Sequence, residues 1–141
     1  MGFIWDLHAI WRWVMLVVGA AAILKALAGW LGKQAWTRLD DQLGLLYTLV
    51  IDIQFLIGLV LWFVGPFNFR QLSAAMGNPL LRFYPVEHPM LMIVALALAH
   101  AGRSRSRKAT SAELKHRSAF VFYLLSFLII VLIFLMRMGI R

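Results

Sequence analysis

Apolar residues fall in four long runs, over about 7–31, 43–64, 86–101 and 118–136, separated by polar or turn-forming stretches. A bilayer core of about 30 Å is crossed by roughly 20 apolar residues of helix. Irregular backbone cannot satisfy its own polar groups in lipid, so helix is the default for such runs. The two-residue alternation of barrel strands is absent. The pattern predicts an all-α fold, an integral membrane four-helix bundle that forms a single transmembrane domain over 1–141.

The connectors give the bundle a direction. Residues 32–42 carry Lys33 and Arg38 against Asp40 and Asp41, and residues 102–117 carry Arg103, Arg105, Arg107, Lys108, Lys115 and Arg117 against Glu113 alone. Two crossings separate these segments, so they share a side, and the positive-inside rule makes it the cytoplasm. Both termini are then expected on the outer side, together with the connector 65–85. Its Gly65-Pro66, Gly77, Asn78-Pro79 and Pro85 bracket a mixed stretch, 67–76, that reads first as an interfacial loop, with an interfacial amphipathic helix or a lid over the outer end as the alternative. Trp5, Trp11, Trp13, Trp30, Trp36 and Trp62 fall near span ends, as an aromatic belt does.

Composition agrees: 62% of residues are hydrophobic and 14% charged, with a mean hydropathy of +0.81. That excludes an ordinary soluble domain. The net charge of +8 lies between apolar segments, which points to topology and anionic lipid and not to nucleic acid. The first six residues lack the basic region and small-residue cleavage site of a signal peptide, so the first run is read as a retained helix. No cysteine is present, so a cofactor must be held by histidine or carboxylate, or non-covalently.

Candidate chemistry lies where lipid is expected. His8 and Arg12 are four residues apart on one face of span one, continued by the small residues Gly19, Ala22 and Ala26; the alternative is an interfacial histidine and a snorkelling arginine. In span two, Asp52 and Gln54 lie near mid-membrane, where ionisable groups mark functional sites by default. At about 100° per residue they point nearly opposite ways, one into the bundle and one at a neighbouring helix or subunit. Lys25 is expected to pair with Asp52, since their depths differ by about one turn.

Span three is short: from Pro89 to Ala101 it covers only about 20 Å. To cross, it must start earlier and take Glu87 and His88 into its first turn, where Pro89 is tolerated. That helix end favours the Glu87 carboxylate and a neutral His88, the form of imidazole that ligates metal. Arg82 lies just before. His100 shares the His88 face some 18 Å along the axis, and His116 reads as part of a solvated basic loop. No nucleophile motif, phosphate loop or zinc-protease pattern is present, so no enzymatic class is assigned.

Four groups of residues, Leu7-His8 with Arg12-Trp13, Leu45-Leu46-Tyr47 with Ile53-Gln54 and Gly58-Leu59, Leu81-Arg82-Phe83 with Val86-Glu87-His88, and Gly102-Arg103-Ser104-Arg105, resemble short bacterial four-helix membrane proteins loosely labelled cytochrome b. The resemblance covers nearly the whole chain. It implies haem b, with His8 and His88 as iron ligands and Arg12 and Arg82 neutralising propionates, a bacterial inner membrane location, and electron transfer, with quinone as a further cofactor. At Asp52 many relatives are expected to have histidine; if that position ligates haem in the family, this chain ligates through other residues or binds none. Depth counting sets His8 about two turns above His88. A second, inner haem between His100 and His116 is the weaker extension. Two rival readings remain: a haem-free structural or assembly subunit of a larger respiratory or photosynthetic complex, with Asp52 contacting a neighbouring subunit, and proton or ion translocation through Asp52, Gln54, Glu87 and His88; the expected partners are lipids and other membrane subunits or a homo-oligomer.

Overall fold

Four helices are long and apolar enough to cross a membrane. The computed structural model describes residues 2–139, and no strand occurs among them. The helices are α1 (Gly2–Leu31), α2 (Arg38–Val64), a short α3 (Leu72–Met76), α4 (His88–Lys108) and α5 (Ala112–Arg137). A single 3₁₀ turn, Phe69–Gln71, leads into α3, so 69–76 of the mixed stretch is helical, the alternative to the loop expected first. α1 packs on α2 and α5, and α4 packs on α5 and α2, closing an antiparallel ring. One end, the connector end, holds residues 65–82; the other, the basic end, holds the tight links 32–37 and 109–111.

Each long helix outruns the apolar run that predicted it. α1 starts at Gly2 and α2 at Arg38, while α4 continues through Arg103, Arg105 and Lys108, and α5 begins at Ala112. The segment read as a basic loop is therefore helix except at 109–111. Hydropathy marks only the part of a helix that lipid covers; backbone hydrogen bonding continues into charged residues. Ser111 starts α5, its Oγ accepting from Leu114 N at 3.2 Å. Arg105, Arg107 and Lys108 suit the negative end of α4.

Small residues let the helices approach. Met15, Gly19, Ala22, Ala26 and Gly29 are buried along α1, and Ala95, Ala99 and Gly102 along α4. One chain of buried polar groups is answered here: Tyr47 Oη donates to Ser126 Oγ at 3.0 Å, which donates to Ala95 O at 2.7 Å.

The basic end holds two corrections. Lys25 pairs with Asp40 at 2.6 Å, not with Asp52. α2 starts five residues before its apolar run, which brings Asp40 into a helical first turn at the level Lys25 reaches. The other Asp40 oxygen accepts from Thr37 N and Thr37 Oγ1, both at 2.8 Å, and so caps the helix. His116 is fully buried instead of solvated. Its Nε2 lies 3.2 Å from Gln34 O, its ring centre 5.1 Å from Trp36, and its Nδ1 4.0 Å from Asp40. Gly29 makes the room, because a Cβ there would fall on the His116 ring. Gly29→Ala is expected to cost about 1 to 2 kcal/mol, overpacking outweighing the roughly 1 kcal/mol of helix propensity gained. The midpoint of thermal unfolding in detergent reads this, with Gly2→Ala, which faces open space, as control.

Candidate functional site

Two prolines set the entry to α4. Pro85 and Pro89 have no N–H to give the helix ladder, and the backbone answers with one π turn over Phe83–Glu87, in which His88 N donates to Phe83 O. Glu87 N donates to Arg82 O at 3.2 Å in the same wide spacing. Pro89 also leaves the Pro85 carbonyl without its helical donor. Trp62 Nε1 supplies one at 2.9 Å, so a tryptophan near the end of α2 pins the turn that presents His88.

His88 meets His8 of α1, with ring centres 6.2 Å apart and planes at 68°. The depth gap expected between them closes because α4 is longer than its apolar run. His8 lies twenty-three residues from Leu31, and His88 twenty from Lys108, a difference of only about 5 Å. Gln54, buried on α2, holds α1 here: its Nε2 donates to His8 O at 3.0 Å and lies 3.4 Å from His8 Nε2. One turn further, Gly58 leaves space for the ring, since a Cβ there would stand 3.2 Å from His8 Cε1.

The two imidazoles open on a cavity of about 420 Å³ at the connector end, within the range of cofactor sites, roughly 300–1,000 Å³. Met15, Phe55, Ile130 and Ile133 line its apolar walls, together with Phe67 and Leu72 of the connector. Phe67 stacks on Tyr84 at 4.8 Å, which ties the connector to the π turn. Arg12 and Arg137 both line the cavity, and no carboxylate does among the described residues. Arg12 lies 5.4 Å from the Phe134 ring centre and 5.6 Å from that of Trp13. Three buried polar atoms in this wall, His8 Nδ1, Arg12 Nε and Gln54 Oε1, have no hydrogen-bond partner. An unanswered buried polar atom costs about 1–3 kcal/mol; three around one cavity mark a wall that a polar ligand completes.

Arg82 and Glu87, expected beside the histidines, bond to each other at 3.0 Å, and neither lines the cavity. The second cation is Arg137 in the last turn of α5; its proximity to a span end on the His8 side was the signal available in the sequence. Gln54 faces inward and Asp52 outward, as their angular separation predicts. Asp52 pairs with His100 at 2.7 Å on the outside of the bundle. His100 and His116 are thus engaged separately, one with Asp52 and the other with Gln34, and do not form a second ligand pair. The two carboxylates of the translocation reading are likewise held apart, Glu87 by Arg82 and Asp52 by His100.

No group of three or more His, Cys, Asp or Glu side chains gathers at metal-binding distance among the described residues; the side chains lining the cavity that can ligate iron are His8 and His88 and the thioethers of Met15, Met90 and Met92. No protein-family model, curated protein or solved structure matches the chain.

Proposed function

We propose that this protein is a small b-type cytochrome-like electron carrier that holds one haem between His8 and His88. The observation that carries the reading is the 6.2 Å between the two ring centres across a cation-lined cavity. A macrocycle supplies four iron ligands and leaves two to the protein. Haem would take those two from His8 and His88, whose rings meet at the cavity. The donor set fits.

Haem supplies one-electron redox chemistry. The chain's part is to bind and tune it. His8 and His88 would hold the iron, Gln54 fixes the segment of α1 that carries His8, and Gly58 leaves room for the His8 ring. Arg12 and Arg137 would answer the acid groups, and Phe67 of the connector, stacked on Tyr84, adds apolar wall to the site. The basic end, with its arginines and lysines, lies in the cytoplasm of a bacterial inner membrane, which leaves the haem and both termini on the outer side.

A redox titration of the purified protein in lipid nanodiscs tests this reading. It is expected to give one reversible one-electron step. Arg12→Gln and Arg137→Gln each lower the midpoint by tens of millivolts, since removing a nearby cation favours the oxidised, more positive iron. A protein with no titrating chromophore removes the reading.

A further inference from the structure

Each span turns an apolar stripe outward, as contact with lipid tails requires. α1 presents Ile10, Val14, Val17 and Leu24, and α5 presents Val121, Leu125, Leu128 and Leu132, all exposed. α2 presents Leu45, Leu49, Asp52, Leu56, Leu59 and Phe63 in alternating steps of four and three. Here the stripe is broken by an ionisable residue. Asp52 is fourteen residues from Arg38 and twelve from Val64, about 20 Å from either helix end. A short carboxylate there cannot reach the headgroups. His100 of α4 answers one oxygen, Oδ1, at 2.7 Å, yet the two side chains remain 40% and 46% exposed.

We infer that this α2/α4 face is the interface between two copies of the chain, paired about a twofold axis through the Asp52–His100 site. Polar groups turned to hydrocarbon are costly and are met almost always in bundle interiors, cavities or interfaces. The pair is chemically self-complementary. Asp52 Oδ2 and His100 Nδ1 have no hydrogen-bond partner among the described residues, and a twofold lets the imidazolium form of His100, with both ring nitrogens protonated, donate from the free nitrogen of one copy to the free oxygen of the other. A partner of different sequence would have to bring both halves; this chain already carries them. Steps of four and three suit left-handed helix packing at about 20°, and a lone polar residue in such a seam fixes its register. The inference is independent of what fills the cavity, because Gln54 turns the opposite way from Asp52.

The chain contains no cysteine, so single-cysteine variants need no background changes. In native membranes treated with a mild oxidant, Leu49→Cys and Leu56→Cys, each about one turn from Asp52, should form disulfide-linked homodimers at least tenfold faster than Val17→Cys on α1 or Leu128→Cys on α5. Asp52→Ala should weaken dimerisation about tenfold in nanodisc or photobleaching measurements, the scale of two interhelical hydrogen bonds in a bilayer, while leaving the visible spectrum unchanged. Crosslinking at 49 and 56 no faster than at the two control positions overturns the proposal. Capture of a different subunit there in place of a second copy overturns it equally.

Discussion

His88→Ala is expected to reduce bound haem per chain at least about tenfold, since loss even of groups that only support a metal ligand costs about 10- to 100-fold in affinity. The loss should be specific, because His88 is held by the backbone and not by hydrogen bonds that organise the bundle. Its position comes from the π turn and from Trp62 bonding to Pro85 O, and both survive truncation of the imidazole. The helical circular dichroism of the variant should match that of the parent. His88→Met separates ligation from space-filling: it should retain haem and raise the midpoint potential, as methionine–histidine ligation does relative to two histidines. A folded His88→Ala protein with full haem content would remove His88 from the iron.

Asp40→Ala is expected to destabilise the bundle by about 3 kcal/mol, the lower end of what breaking a buried ion pair costs, because Lys25 is 28% exposed and can turn towards water. Asp40 has three tasks. It accepts from Lys25, it caps α2 through Thr37 N and Thr37 Oγ1, and it stands 4.0 Å from the buried His116. The single change leaves an ammonium and two cap donors unanswered beside a packed imidazole. The double variant Lys25→Met/Asp40→Leu should recover much of the loss, since replacing both members of a buried pair removes the uncompensated charge. Denaturant titration in mixed micelles, followed by circular dichroism, measures both.

Apolar run length alone revealed four helices long and apolar enough to cross a membrane, and the angular step alone separated Gln54 from Asp52. What stayed illegible depended on helix ends. Because α4 runs on to Lys108 through arginines that a hydropathy reading assigns to a loop, His88 sits at nearly the level of His8. Because α2 starts at Arg38, the acid that meets Lys25 is Asp40. His116 misleads through its neighbours: Lys115 and Arg117 suggest solvent, yet they flank it by about 100° on either side. The buried sequence His116, Ala119, Tyr123, Ser126, Ile130 and Ile133 runs inward at helical spacing and was readable as a face. Arg137 fell one residue beyond the apolar run, and only tertiary packing sets it beside Arg12 at the cavity.

The optical spectrum of the purified protein, oxidised and then dithionite-reduced, with haem quantified after extraction, tests the central claim most directly. One haem per chain is expected, with a reduced α band in the b-type region that is lost in His8→Ala and in His88→Ala. A correctly folded protein that is colourless and yields no extractable haem, even when produced with haem in excess, would contradict it.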